Sequence, residues 1–346
     1  MKKSSKQLIK MATASFFVAC LLSFTVSCSD DDDAGVPIEA PTIANLSFAL
    51  AENPMANASI GNVQATDPQG LDLAYSLSTQ SVANAIVINS TTGEISVNTV
   101  EAFDYEVNTS ISADVVVTNG TESATETIQI LIDDLKPSTQ GLAAHYKNDA
   151  IVNNICEDAS TNGLDAFFQN GNLPNIVTGV DGNAYDFAGT SSNINVASNA
   201  IANQISYSFA FWVNVNSSGY VIAKGPTNDM NIGLQLIETD GTDFAFNLEY
   251  DSTTTQNIDA METNISIAPN VWTHVSIVCD NGTNWKTYLN GVLEDQTTTT
   301  EANVWNNTIL HLGGYGSASF LGGALDDIYI YQRALSAEDV FILFKE

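Results

Sequence analysis

The chain has 346 residues, with 40 Asp and Glu against 10 Lys and Arg, and a formal net charge of −30. Such an acidic surface repels nucleic acid and anionic lipid head groups, which excludes phosphate-backbone binding, and it attracts cations such as Ca²⁺. With 44% hydrophobic residues the chain can build cores and is not a disordered acidic tail, and at roughly 100–200 residues per domain about two domains fit.

The first 27 residues form a leader. Four lysines within the first ten positions precede an apolar run from Met11 to Ser27, which is shorter than the ~20 residues of a membrane-spanning helix and typical of a secretory signal. Cys28 and then Ser-Asp-Asp-Asp-Asp follow. This combination resembles the signal of a Bacteroidetes-type surface lipoprotein, which implies a lipid on Cys28 and an outward-facing position at the cell outer membrane.

Two alternatives to Cys28 remain open in the leader. Cys20 is a rival lipid acceptor, but cleavage there would leave an apolar segment exposed on the mature chain, which favours Cys28. An ordinary signal peptide with an incidental cysteine is the other interpretation.

Residues 28–40 are predicted to be an acidic, lipid-anchored linker. Beyond them, short β-rich runs alternate with turn signals every 8–12 residues, which is typical of sandwich folds. We expect an all-β protein with two sandwiches in series, residues 41–136 and 137–346. Asn290-Gly291 predicts a tight hairpin turn. Only the C-terminal end is predicted to be helical, with Ser336 as N-cap and Asp339 in the position of a capping box.

Two cysteines lie beyond Cys28, namely Cys156 and Cys279. In an oxidising compartment they form either one disulfide or two buried free thiols, and the sequence leaves both possibilities open.

Ordered motifs in the first predicted sandwich suggest a family. Ala51-Glu52-Asn53, Ala65-Thr66-Asp67-Pro-Gln-Gly70, Thr92-Gly-Glu-Ile95 and Phe103-Asp-Tyr-Glu106 resemble a cadherin repeat over about residues 41–134, which implies an Ig-like Greek-key sandwich. The resemblance implies Ca²⁺ held by carboxylates from separate loops. The candidate ligands are Glu52, Asp67, Glu106, Asp133 and Asp134. Because the family's closing acidic motif is reduced to Asp-Asp-Leu-Lys, we expect one weakly bound ion or none.

The second predicted sandwich carries six ordered motifs over about 200 residues. Gly141-Leu-Ala-Ala-His-Tyr146, Tyr207-Ser-Phe-Ala-Phe-Trp-Val213 and Leu325-Asp-Asp-Ile-Tyr-Ile-Tyr331 are among them, and together they resemble a laminin-G-like, concanavalin-type jelly roll. The resemblance implies a second Ca²⁺ position, with Asp326 and Asp327 as ligands and Asp158 in the same area.

Aromatic residues in this region divide into predicted core and predicted binding residues. Phe209, Phe211, Trp212 and Trp272 alternate with or flank inward strand positions, so we expect most of them in the core. Rigid sandwiches bind through loops. We therefore expect residues 219–230 and 312–321 to be binding loops, with the exposed aromatic side chains Tyr220, Trp305 and Tyr315.

The sequence predicts no catalysis. Glycosidases of this fold class need paired carboxylates, and the closest approach to Glu-x-Asp-x-x-Glu is Glu249-Tyr-Asp251-Ser-Thr-Thr254, where the third acid is Thr. We predict a non-enzymatic binding or adhesion protein that recognises an extracellular glycan or protein and contacts the membrane only through its lipid. The alternatives are an accessory or cryptic hydrolase of a polysaccharide-utilisation system and a purely structural spacer.

Overall fold

The computed structural model describes residues 36–188, 190–197, 204–224, 232–238, 244–251, 258–299, 308–315 and 319–346. The chain forms two compact units, the first ending at Asp133 and the second beginning at Asp134. Both are built from β-strands, which confirms the all-β prediction. Cys28 and the rest of the predicted leader lie outside the described residues. Within the described ranges, no helix is both long enough and apolar enough to cross a membrane.

The first unit consists of two main sheets. Its strands are β1 (Thr42–Ala44), β2 (Ser47–Ala51), β3 (Ser59–Asn62), β4 (Gln64–Thr66), β5 (Ala74–Gln80), β6 (Ile86–Ile88), β7 (Glu94–Val97), β8 (Ser110–Thr118) and β9 (Ser123–Asp133), with a short 3₁₀ turn at Val100–Phe103. The sheets have the orders β2-β9-β8-β5 and β3-β7-β6, and β1 pairs with β4. Strand β2 runs parallel to β9.

Strand β8 shows how the sequence builds this core. Its alternate residues Ile111, Ala113, Val115 and Val117 are buried because successive strand side chains point to opposite faces. They join one buried cluster with residues of both sheets, such as Ile95. If the strands of the two sheets are lettered A to G in chain order, the sheets are A-G-F-C and B-E-D. Antibody constant domains instead place strand A beside B.

The second unit contains two larger sheets. Its strands are β10 (Leu142–Tyr146), β11 (Ile155–Cys156), β12 (Ala166–Phe168), β13 (Asn175–Thr178), β14 (Asn183–Asp186), β15 (Ile194–Val196), β16 (Tyr207–Ser217), β17 (Gly219–Lys224), β18 (Ile232–Glu238), β19 (Phe244–Asp251), β20 (Ile258–Ile267), β21 (Thr273–Asp280), β22 (Asn284–Leu289), β23 (Val292–Thr298), β24 (Leu310–Leu312), β25 (Gly314–Tyr315), β26 (Ser319–Phe320) and β27 (Gly322–Tyr331).

Sheet I has the order β13-β14-β27-β16-β21-β22-β23, with β10 also paired to β27, and sheet II has the order β11-β12-β15-β24-β17-β18-β19-β20. Phe209 and Phe211 of sheet I are buried with Ile194 and Leu312 of sheet II in one cluster, which confirms that these two phenylalanines are core residues. The predicted hairpin turn joins β22 to β23, where Asn290 has φ 47° and Gly291 has φ 79°.

A helix, α1 (Ala337–Lys345), covers part of the outer face of sheet I. Its N-cap is Ser336, and the predicted capping box with Asp339 is present. Val340 and Leu343 of the helix are buried with Tyr331 and Ala210 of the sheet in a second, smaller core. Trp212 is only partly buried, and its ring lies 5.7 Å from that of Phe344 in the helix, so it lies outside the core between the sheets.

Cys156 and Cys279 are both buried free thiols, so the disulfide alternative is wrong. Cys156 lies in β11 of sheet II and contacts Oδ1 of Asn148 at 3.6 Å, whereas Cys279 lies in β21 of sheet I. Burial raises the pKa of the Cys279 thiol to about 12, and it also raises the pKa of Cys156. Both thiols are therefore unreactive core residues.

Candidate functional site

A groove on the outer face of sheet I combines an aromatic ring with polar side chains. In the register of the sheet, Ala324 of β27 lies opposite both Asp186 of β14 and Asn214 of β16. Residues opposite one another in a sheet point to the same face, and neighbouring strands are about 4.8 Å apart. The small Ala324 side chain therefore forms a floor between a carboxylate and an amide.

Trp272 forms one side of this groove. It immediately precedes β21, whose first residue, Thr273, pairs with Val213 of β16, so Trp272 lies beside Asn214. The backbone N–H of Asn270 donates to the carbonyl of Val215 at 2.8 Å and fixes the turn before Trp272. Together with Thr178, Asn216 and Gly323, these residues line a cavity of about 230 Å³, which we call the Trp272 groove.

The groove has the chemistry of a saccharide site. An aromatic ring packs against the C–H face of a sugar, and amide and carboxylate groups exchange hydrogen bonds with its hydroxyls. The prediction that Trp272 is a core residue is wrong, since the side chain is only half-buried and lines an open cavity. Its position in the sequence could have indicated this. Trp272 lies between the turn at Asn270 and strand β21, so it falls outside the inward and outward alternation of the strand's side chains.

Three predicted calcium ligands come together at the end of strand β9. Carboxylate oxygens of Glu52, Glu106 and Asp134 lie within 4.8 Å of one another. Glu52 is buried, and its Oε2 accepts a hydrogen bond from the backbone N–H of Tyr105 at 3.2 Å. Asp134 is placed by its peptide bond to Asp133, the last residue of β9. Carboxylates from separate loops at this spacing fit the hard-oxygen coordination of Ca²⁺.

Sequence reasoning missed a fourth acidic residue near this cluster. Asp104 stands directly before Tyr105, and its Oδ1 is buried with no hydrogen-bond partner. A buried carboxylate oxygen without a donor is costly unless a cation satisfies it. Asp104 belongs to the same Asp-Tyr-Glu motif as Glu106, so the motif itself could have indicated Asp104 as a ligand. Asp133, by contrast, is exposed, and its backbone carbonyl accepts from the N–H of Glu52 at 3.0 Å.

Asp67 lies away from the cluster. It accepts hydrogen bonds from Nδ2 of Asn119 at 2.7 Å and from the backbone N–H groups of Gln69 and Leu71, each at 2.9 Å. These contacts lower the pKa of its carboxyl, with the Asn119 bond as the largest cause. Asn119 precedes β9 and Asp133 ends it, so the eleven-residue strand separates Asp67 from Glu52 by roughly 30 Å. Asp67 organises its own loop.

The three candidate ligands of the second unit each have their own donors. Asp158 accepts from the backbone N–H groups of His145, Ser160 and Leu164, each at 2.9 Å; burial acts to raise its pKa, but these bonds outweigh burial and lower it. Asp327 lies 3.0 Å from Nε2 of His145.

Asp326 is fully buried and accepts from the N–H groups of Val180 at 2.7 Å and Asp327 at 3.0 Å. Burial raises the pKa of its carboxyl to about 7. Within the described part of the chain, Asp158, Asp326 and Asp327 do not form a group whose ligand atoms all lie within 4.8 Å of one another. The donors around them are N–H groups, so this set does not fit a Ca²⁺ ion.

The predicted binding aromatics have mixed outcomes. The rings of Tyr220 and Tyr315 meet edge to face with centroids 5.6 Å apart, but Tyr315 is buried, so its predicted exposure is wrong. Residues 219–224 form strand β17 and not a loop, because they pair with both β18 and β24. Two short strands also form within the second predicted loop, where residues 314–315 (β25) pair with residues 319–320 (β26). Trp305 lies outside the described residues.

The carboxylates of the hydrolase alternative lie in strand β19. Glu249 pairs with Gly233 on one side and with Ala260 on the other, and Asp251 is the last residue of the strand.

Solved structures are similar to part of this chain. Domain 4 of the extracellular arabinanase AbnA from Geobacillus stearothermophilus, solved with arabinotriose, is 23% identical, with 58% of this chain and 97% of that chain covered and a TM-score of 0.45. The binding domain of Paraclostridial Mosquitocidal Protein 1 is 21% identical, with 59% of this chain and 52% of that chain covered and a TM-score of 0.47. The binding domain of Botulinum neurotoxin DC, solved with rat synaptotagmin II, is 18% identical, with 59% of this chain and 51% of that chain covered and a TM-score of 0.43.

The match spans about half the length of each of these two toxin binding domains. No curated protein matches the chain. Residues 188–341 match the Laminin_G_3 model of the concanavalin A-like lectin/glucanases superfamily. They contain most of the strands of the two packed sheets. Residues 188–341 of this chain are therefore a LamG-like, concanavalin A-like jelly-roll domain.

Proposed function

We propose that the protein is a non-enzymatic, cell-surface glycan-binding protein whose jelly-roll unit holds a neutral saccharide in the Trp272 groove. The observation that carries this proposal is the row Asp186–Ala324–Asn214 with Trp272 beside it, which supplies a ring, an amide and a carboxylate around a small floor residue. The match of residues 188–341 to a lectin and glucanase superfamily supports a saccharide as the ligand.

The proposal extends to the placement of this domain at the cell surface. A lipid on Cys28 would anchor the chain at the outer membrane, and the cadherin-like first unit would carry the jelly roll outward. The basic and apolar leader followed by Ser-Asp-Asp-Asp-Asp supports the anchor. Radiolabelled palmitate incorporated by cells, and its loss in Cys28→Ala but not in Cys20→Ala, tests the anchor.

We also propose that the chain binds one Ca²⁺ through Glu52, Glu106 and Asp134. The three carboxylates within 4.8 Å of one another support this site, and so does the buried, unpartnered Oδ1 of Asp104 beside Tyr105. Calcium there would neutralise like charges that otherwise repel one another.

The glycan proposal is tested by binding of the purified chain to an array of neutral and acidic glycans, followed by calorimetry with the neutral glycans that bind. Trp272→Ala and Asn214→Ala should each weaken binding to a neutral glycan at least tenfold. Phe167→Ala is the matched control, because Phe167 is a 58% exposed aromatic residue of sheet II outside the groove. Neutral-glycan binding that survives both groove substitutions would contradict the proposal, as would an array without a neutral glycan that binds.

A further inference from the structure

A second groove, larger than the Trp272 groove, opens in the second unit. It has a volume of about 460 Å³, within the range of pockets that hold small ligands. Strand β10 and the end of β27 form its base, and the segment after β11 forms one side. We call it the His145 groove; the residues that matter to its chemistry are Lys136, His145, Lys147, Ser160, Asn162 and Tyr329.

The base of this groove is a fixed aromatic and polar wall. The ring of His145 stacks on that of Tyr329 with centroids 3.8 Å apart and an angle of 13° between the planes. Nε2 of His145 lies 3.0 Å from Oδ1 of Asp327. Asp327 has φ 40°, a conformation that a non-glycine residue rarely adopts, and it lies where the register of β27 against β16 shifts. This bulge turns the Asp327 carboxylate toward the imidazole.

Hydroxyl and amide groups occupy the side of the groove. The Ser160 hydroxyl donates to Oδ2 of Asp158 at 2.8 Å and accepts from the backbone N–H of Asn162 at 3.2 Å, which leaves one lone pair of its oxygen as an acceptor. Asn162 is exposed and donates from Nδ2 to the carbonyls of Leu142 and Ala143, at 2.7 and 3.1 Å, so its position is fixed. Its amide oxygen can accept a hydrogen bond from a ligand hydroxyl.

Two lysine side chains line this groove. Only six basic residues follow the leader in a chain with 40 acidic residues, and two of them, Lys136 and Lys147, line the groove. One carboxylate side chain, that of Glu346, lines it as well. Lys147 lies 3.7 Å from Asp181, with both side chains about half exposed or more, and Lys136 lies 3.1 Å from Asp134. The exposed Lys147–Asp181 pair is weak and exchanges readily for a ligand anion, and the Lys136 side chain is itself exposed.

We propose that the His145 groove binds an acidic saccharide. The carboxylate or sulfate of the sugar would be held by Lys136 and Lys147, its hydroxyls by Ser160 and Asn162, and its ring by the wall of His145 and Tyr329. Two ammonium groups on an otherwise strongly acidic surface are the feature that selects an anion over a neutral sugar. This site is separate from the Trp272 groove, and its ligand class differs from the neutral saccharide proposed there.

Calorimetry of the full chain with trigalacturonate, its fully methylated ester and a sulfated galactotriose tests this proposal. We expect the acid or the sulfate to bind, with an affinity that falls as salt is added, and the neutral ester to bind at least tenfold more weakly. Binding of the carboxylated or of the sulfated probe alone identifies which anion the groove takes. Equal binding of the acid and its ester, or no binding by either anionic probe, would overturn the inference.

Substitutions locate the binding. Lys136→Gln and Lys147→Gln should each weaken binding of the anionic probe, and together at least tenfold, whereas Lys286→Gln, which removes one positive charge from strand β22 as each single variant does from the groove, should leave it unchanged. Equal loss in the Lys286 control would show only a general charge effect and would contradict a site at the groove. Trp272→Ala should not affect the anionic probe, so the two grooves are tested independently.

Discussion

Arg333 holds Asp339 through two parallel contacts, from Nη1 to Oδ2 at 2.9 Å and from Nη2 to Oδ1 at 2.8 Å. The same carboxylate completes the capping box by accepting from the backbone N–H of Ser336 at 2.9 Å. One side chain therefore fixes both the start of helix α1 and the segment that leads into it. Its pKa lies well below the usual range, with the Arg333 bond as the largest cause.

Replacing Asp339 should loosen helix α1. We expect Asp339→Ala to lower the free energy of unfolding of the second unit by about 2 kcal/mol, since it removes a cap and a bidentate pair. The wild-type contribution is present at neutral pH and is lost as the pH falls below the usual pKa of an aspartate. Urea denaturation measures the effect, and Glu338→Ala, an exposed acid of the same first turn, is the control. Equal effects in the two variants would contradict the role of Asp339.

His274 should make the protein sensitive to mild acid. Burial between Trp212 and Phe344 lowers the pKa of its imidazole to about 3. As the pH falls below 6.5, the imidazole is therefore protonated in the unfolded chain but stays neutral in the folded chain. Stability therefore falls as the pH drops from 6.5 toward 3, by about 2 kcal/mol at pH 5. In His274→Phe that part of the pH dependence should disappear. Parallel stability curves for wild type and variant between pH 8 and pH 5 would refute this.

Ala324 should control access to the Trp272 groove. Because it forms the floor between Asp186 and Asn214, Ala324→Met should fill the groove and weaken neutral-glycan binding at least tenfold. The melting temperature should change little, since the added side chain points out of the sheet. Thr298→Met, on exposed strand β23, is the matched control for both measurements. Full binding by Ala324→Met would place the saccharide elsewhere.

Calcium should stabilise the first unit. A ligand that binds only the folded state at a hundredfold excess over its Kd adds about 2.7 kcal/mol, so the first unit should melt at a higher temperature in millimolar Ca²⁺, and EGTA should reverse the change. Glu52→Gln and Asp104→Asn should each reduce this shift. Asp67→Asn should not, because Asp67 lies at the opposite end of β9. An unchanged melting curve with Ca²⁺ would remove the calcium proposal.

Neither core thiol should react with a thiol reagent in the folded protein. In a chain that begins after Cys28, Ellman's reagent should detect no reactive thiol at pH 8 and two thiols after unfolding in guanidinium, because Cys156 and Cys279 are buried and their thiol pKa values are raised. Cys279→Ser, which removes one thiol, should reduce the count after unfolding to one. Detection of a disulfide by mass spectrometry without reduction would contradict the structure.

Local features of the fold could be predicted from the sequence, because each depends on neighbouring residues. The Ser336 and Asp339 cap, the Asn290-Gly291 turn and the alternation in strands such as β8 all belong to this class. Features that depend on long-range register could not be predicted. Trp272 becomes a groove residue only because β27 places Ala324 between two strands distant in sequence.

The candidate ligands show the same division. Glu52, Glu106 and Asp134 could be selected because each stands in a recognisable motif. Asp326 and Asp327 are neighbours in sequence, yet one accepts from the Val180 turn and the other faces His145, since a bulge with a positive φ separates their directions. A residue pair alone does not reveal such a bulge.

The parallel pairing of β2 with β9 has a mechanical consequence. Ser47 to Ala51 align with Gln129 to Asp133, so the second strand and the last strand of the first unit lie side by side and point the same way. A pull that draws residue 47 and residue 133 apart must shear this whole ladder of hydrogen bonds at once and cannot open it one bond at a time. A surface protein anchored at one end and bound to a ligand at the other would resist tension through this pair of strands.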